Sequence, residues 1–151
     1  MFETRGNNHR AEGFTLIELL VAVTIIGIVA TIAVPALNTA MEKSRQRATV
    51  ANMRAVGNAL QIYQNDLTSF PPGTLDINQL AVALLGVTKR PIPVHDSWGR
   101  DFDYRSDGLV EYSVESFGRD GVPGADISPA QANNFDLDIV LSDGIFVASV
   151  N

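Results

Sequence analysis

The chain has 151 residues, 46% of them hydrophobic, a net charge of −6 and no cysteine. That length holds one ordinary domain, or a small domain with an appendage. The acidity argues against a nucleic-acid-binding face, which would be basic, and the missing cysteines exclude disulfide staples and thiol chemistry.

Residues 1–13 form a polar leader with Arg5 and Arg10 beside Glu3 and Glu12. From Phe14 to Leu37 the chain runs apolar with a single charge, Glu18. A helix of that length, at ~1.5 Å per residue, crosses the ~30 Å hydrocarbon core of a bilayer. Residues 14–37 are therefore predicted to span a membrane. Beyond them the pattern turns amphipathic: Met53, Val56, Leu60, Tyr63 and Leu67 recur at three- and four-residue spacing, one stripe of a helix. One continuous helix from about Phe14 to about Asp66 is predicted, with residues 38–66 as its water-exposed half. Pro71, Pro72 and Gly73 end it.

Residues 67–151 are few for an independent core, so this part of the chain is expected to lean on a metal ion or on neighbouring subunits. Ile77–Val87 reads as a short helix with Asp76 as its cap. Strands are predicted at Phe102–Arg105, Val110–Ser116, Ile139–Leu141 and Ile145–Val150. Between them stand Asp107-Gly108, Asp120-Gly121 and Asp143-Gly144, pairs that favour tight hairpin turns. The fold class is α+β: a long N-terminal helix followed by a small antiparallel sheet.

Charge is unevenly spread. Residues 91–151 carry eleven Asp and Glu against three Arg, whereas Lys43, Arg45, Arg47 and Arg54 face a single Glu42 in residues 42–54. Arg45 and Arg47 suit anionic lipid headgroups, the acidic faces of neighbouring subunits, or equally a solvated helix face. The segment "SFGRDGVPGADIS" places Asp120 and Asp126 among three glycines, a loop able to offer carbonyls and carboxylates to a hard cation such as Ca²⁺. It lacks the spacing and closing glutamate of an EF-hand. His95-Asp96 is no dyad, since sequential neighbours on a strand face opposite ways. Trp98 and Phe102 read as packing residues against the helix stripe.

Glu18 is the outlier. An acidic residue at the centre of a span costs ~2.5–3.5 kcal/mol on insertion scales, and less near its end. A conventional signal peptide, cut near Val34–Ala36 or Asn38–Ala40, leaves Glu18 unexplained, and a plain single-span anchor has no use for it. Cleavage after Gly13 would create a free amine on Phe14 at nearly the same depth, able to neutralise Glu18 within one chain or between staggered neighbours. Paired charges of this kind fix the register of packed helices.

The stretch "GFTLIELLVAVTIIGIVATIAVPAL" resembles the N-terminus of type IV pilins and of the pseudopilins of type II secretion systems. The resemblance implies cleavage between Gly13 and Phe14 by a membrane prepilin peptidase, with N-methylation of Phe14. It also implies assembly through Phe14 and Glu18 of adjacent subunits, and helix unwinding between Gly27 and Pro35 in the filament. Further on, "HDSWGRDFDYRSDG", "VEYSVESFGRDGVPGADI" and "FDLDIVLS" follow the order seen in G-type major pseudopilins, with a pilin fold. Ser97 stands where that family usually has Pro, and Phe135-Asp136 replace its common Trp-Asp pair. That family carries calcium in the acidic loop, which implies Asp120, Asp126 and Ser116 as ligands, with Asp136 a weaker candidate. The implied role is that of a non-enzymatic subunit of a type II secretion pseudopilus. It would sit as a single-pass protein in the bacterial inner membrane, contacting its lipid, with residues 67–151 in the periplasm. Its partners would be copies of itself, minor pseudopilins, the prepilin peptidase, and an inner-membrane assembly platform with its ATPase. The alternatives are a subunit of a type IV pilus or related filament and, more remotely, a secreted Ca²⁺-dependent binding module.

Overall fold

The computed structural model describes residues 13–128, 131 and 133–148, so most of the leader and the last two residues of the fourth predicted strand lie outside it. Helix α1 runs without a break from Leu16 to Leu67, through Pro35, and no cis peptide bond occurs among the described residues. The chain divides between Asn38 and Thr39 into two units. In the first unit the helix is apolar and none of its apolar window is buried; it is long and apolar enough to cross a membrane.

The second unit has its own core. Val50, Met53, Val56 and Leu60 on α1 are buried together with Leu80 and Leu84 of α2 (Ile77–Thr88). At ~1.5–3 kcal/mol per fully buried large apolar side chain, this stripe anchors the helix to its own domain. The predicted stripe extends too far: Tyr63 is only partly buried and Leu67 is 50% exposed, because α1 ends there and Thr68 turns left-handed at φ 60°. At Gly57 the helix meets the sheet closely; a Cβ there would stand 2.9 Å from Leu141 Cδ2. Asp76 caps α2 as expected. Its Oδ1 accepts from the amides of Asn78 and Gln79 at 2.9 and 2.8 Å, while Gln79 Oε1 accepts from the Asp76 amide at 3.2 Å, a reciprocal capping box.

Four antiparallel strands follow in the order β1-β2-β3-β4: Asp103–Ser106, Tyr112–Ser116, Ile139–Ser142 and Ile145–Ala148. Alternation is clear in β2, where Tyr112, Val114 and Ser116 are buried while Ser113 and Glu115 are half-buried. The Asp143-Gly144 pair makes the two-residue β3–β4 turn, with φ of 50° and 83°. Asp107 organises the β1–β2 connection by accepting from the amides of Leu109, Val110 and Glu111 at 2.8 to 3.1 Å. Asp120-Gly121 does not make a hairpin. Strands β2 and β3 pair directly, and the described residues of the 117–138 segment form a long loop between them. Here the Asp120 carboxylate accepts from the Val122 amide at 3.0 Å, a local Asx turn, and the return of the chain is set elsewhere.

Candidate assembly and cation sites

Two places gather the residues singled out above. The first is the start of α1. The Thr15 amide and hydroxyl both donate to Glu18 Oε2, at 2.9 and 2.8 Å, and the Glu18 amide donates to Thr15 Oγ1 at 3.2 Å. Thr15 is thus the N-cap and Glu18 the third helical residue of a second capping box, where a carboxylate also meets the positive end of the helix dipole. Glu18 therefore has a role within a single chain, contrary to the expectation that an anchor has no use for it. The signal was the T-x-x-E spacing of "TLIE", which is a helix-start pattern. Gly13 and Phe14 precede the cap, and a Cβ on Gly13 would meet nothing within 4 Å. Gly27 and Pro35 both lie inside the intact helix.

The second place is the 117–138 loop. Its far limb runs beside the lead-in to β3: Asp126 bridges Asp138, the Ile127 amide donates to Asp138 O at 2.8 Å, and the Asp138 amide donates to Ala125 O at 3.1 Å. On β2, Glu115 pairs with Val140 of β3, so strand alternation brings Asp138 to the same side as Glu115. Glu115, Asp126 and Asp138 each place a carboxylate oxygen within 4.8 Å of the other two. Asp138 is 1% exposed. Its Oδ2 accepts from the Gly124 amide at 2.7 Å, but no donor reaches its buried Oδ1. Burial pushes the Asp138 carboxyl above its ordinary value, opposed by the Gly124 amide and reinforced by the charges of Asp126 and Asp120. Burial likewise raises Glu115, with Arg105 opposing and Asp138, Asp103 and Asp126 reinforcing. An unpaired buried carboxylate oxygen among like charges fits a hard divalent cation, which accepts several oxygens at flexible angles.

The other expected ligands make hydrogen bonds of their own. The Ser116 hydroxyl donates to Asp96 Oδ2 at 2.9 Å. Asp136 holds Arg119 through two bonds of 2.8 Å, and this guanidinium keeps the Asp136 carboxyl below its usual range. Asp120 is exposed and turned onto Val122. Asp138 and Glu115 were not singled out from sequence. Asp138 stands in "FDLDIV" beside the more obvious Asp136, and only the register of β2 on β3 selects between them.

A second basic residue braces the loop. Arg100 donates to the carbonyls of Gly118, at 2.8 Å, and of Arg119. Asp96, buried, accepts from the amides of Trp98 and Arg100 at 2.9 Å each. The Trp98 indole N–H donates to Glu42 Oε2 on α1 at 2.8 Å, and Phe102 is buried. Phe102 thus serves the core, as read from sequence, whereas Trp98 is half-buried and meets α1 through this hydrogen bond. His95 is not paired with Asp96; its Nδ1 stands 2.5 Å from Asp101 Oδ1 on the surface.

Residues 8–34 match the prokaryotic N-terminal methylation motif, and residues 36–135 match the family described as type II secretion system protein G. The chain belongs to the type II secretion system protein G family. The core protein G of Vibrio cholerae serotype O1 is 33% identical over 138 residues, covering 83% of this chain and 92% of that protein. That of Aeromonas hydrophila is 32% identical over 129 residues, covering 78% and 89%. That of Escherichia coli K12 is 31% identical over 129 residues, covering 78% and 88%. Membership of the protein G family agrees with the α+β architecture and favours a secretion pseudopilin over a pilus subunit.

Proposed function

We propose that this chain is the structural subunit of a type II secretion pseudopilus. Residues 14–37 anchor it in the bacterial inner membrane, and the domain that follows lies in the periplasm. Prepilin peptidase cuts between Gly13 and Phe14, and the new amine is methylated. Copies of the chain, joined by minor pseudopilins, then assemble on an inner-membrane platform driven by its ATPase. The carrying observation is one helix with two kinds of surface: an apolar half with none of its window buried, leading into a domain that matches protein G.

The work of such a subunit is mechanical. Its apolar half has favourable surroundings in lipid or among other copies, and transfer from one to the other leaves that surface covered throughout. The Phe14 amine of one subunit and Glu18 of its neighbour set the axial register, and Gly27 and Pro35 supply the weak turns for local unwinding. Mass analysis of the mature N-terminus tests the reading. A chain beginning with methylated Phe14 is expected; one beginning after residue 36 or 40 would refute it and return a conventional secreted module.

Calcium is the proposed ion of the acidic loop, with Asp120 and Asp126 as the residues that the family resemblance carries over. Support comes from the orphaned oxygen of Asp138 within the same loop. When bound, the ion supplies charge neutralisation and cross-linking. Chelation with EDTA is expected to lower the melting temperature of the domain, and an unchanged melt counts against a bound ion.

A further inference from the structure

We infer that Lys43 and Arg47 bind the phosphate headgroups of anionic phospholipid where α1 enters its domain. This rests on the membrane anchoring proposed above and goes beyond it by naming a lipid class and the two side chains that select it. The sequence offers Arg45 and Arg47 for such a contact, and the structure separates them. Arg45 Nη1 lies 3.2 Å from Glu42 Oε1, while Glu42 Oε2 accepts the Trp98 indole N–H at 2.8 Å. Glu42 is the one acid in residues 42–54, and both of its oxygens are thereby occupied. Lys43 and Arg47 are exposed, and among the described residues neither has a hydrogen bond or an ion pair.

Four residues apart on α1, Lys43 and Arg47 are neighbours on the helix surface. Two like charges so placed repel each other, and an anion shared between them turns that repulsion into attraction. Their place in the chain says which anion. Lys43 follows Leu37, the last residue of the predicted span, by six residues, about 9 Å of helix. The headgroup band extends about 5–7 Å beyond the hydrocarbon on each side. Helical Cα–Cβ bonds tilt toward the N-terminus, back toward that band, and a long basic side chain can lay its stem along the helix while its charge meets the phosphates. Arg47 stands about 6 Å further along. That is within the ~8 Å screening length, so it adds to the attraction with less direct contact.

Net charge cannot produce such a preference. A chain at −6 is repelled by an anionic surface, so selection of anionic lipid has to come from a local group. The acidic face of a second copy is the rival partner, and adjacency to the span favours the lipid. Leaving the bilayer would break this contact, so an anionic leaflet retains the subunit until it is drawn out.

The full chain, reconstituted in phosphatidylcholine vesicles, tests the assignment with spin-labelled phosphatidylglycerol against spin-labelled phosphatidylcholine. The native chain is expected to prefer phosphatidylglycerol by about tenfold at low salt and less at high salt. Lys43→Gln should cut that preference by about fivefold and Arg47→Gln by about twofold, and the double variant should abolish it. Lys43→Arg should keep it, and Arg45→Gln, whose charge is already paired, should change it by less than about twofold. Unchanged domain melts would show that the variants fold. If the native chain has no preference, or the double variant retains it, the inference fails and the anchoring stands. If the double variant instead reduces cross-linking between copies, with lipid preference unchanged, the pair faces a second copy and the inference is overturned. A native chain that alkaline carbonate strips from the vesicles is not anchored, and both readings fall.

Discussion

Along α1 the large apolar side chains between Phe14 and Leu37 are exposed by 50% at Val21 to 88% at Leu16, whereas Met53, Val56 and Leu60 are each 0% exposed. One helix thus carries two apolar surfaces of opposite fate. The second half is satisfied by its own chain, through α2 and the sheet. Among the described residues nothing covers the first half, the surface that the proposed function assigns to lipid or to other copies of the segment. The difference lies in what each side chain meets. Stability of the domain and assembly of the filament should therefore be separable by mutation.

Glu18→Val should have the largest effect. Fibre formation is expected to be lost while membrane insertion and the melting of the domain stay unchanged; normal fibres from that variant would erase the proposed division of labour. Met53→Ala acts on the other half. Removing a fully buried side chain costs about 2–5 kcal/mol, read as a lower melting temperature of the domain with N-terminal processing unaffected. If processing failed as well, the two halves would not be independent. Asp76→Ala removes the capping box of α2 and should cost about 0.5–2 kcal/mol, measurable as a shift of the denaturation midpoint.

The smallest effect concerns Asp107. The Leu109 amide first, and then that of Glu111, hold its carboxyl below the ordinary range. Because the folded value is lowered, its contribution is present above the unfolded value and fades as pH falls through the folded one. The melting difference between the native chain and Asp107→Asn should therefore narrow on acidification. A gap that widened would reverse the sign.

Much of this division was legible in the residues. A 3.6-residue period located the stripe around Met53 and Leu60, the Asp76 cap located α2, and Asp143-Gly144 located the last hairpin, because each depends on interactions a few residues long. The β2–β3 connection was not legible in that way. Asp120-Gly121 has the chemistry of a hairpin turn but sits within a loop whose return is set by the pairing of Ser113–Ser116 with Ile139–Ser142. Glu115 and Asp138 are invisible for the same reason: no spacing in the chain brings them together until that register is made. Arg54 is a smaller instance. Its guanidinium lies 5.3 Å from the centre of the Phe146 ring on β4, a contact that also needs the sheet in place.

The Thr15–Glu18 cap bears on the energetics of polymerisation. Before the proposed assembly Glu18 is not wholly without donors, since its Oε2 already accepts two bonds from its own chain. In the proposed assembly a neighbour's amine competes with the Thr15 cap for that oxygen, which lowers the net gain of the pairing. Such a contact can select the correct axial offset and reject others without making addition irreversible. Growth powered from outside, and shrinkage once that power stops, are what a filament built on an exchange reaction allows.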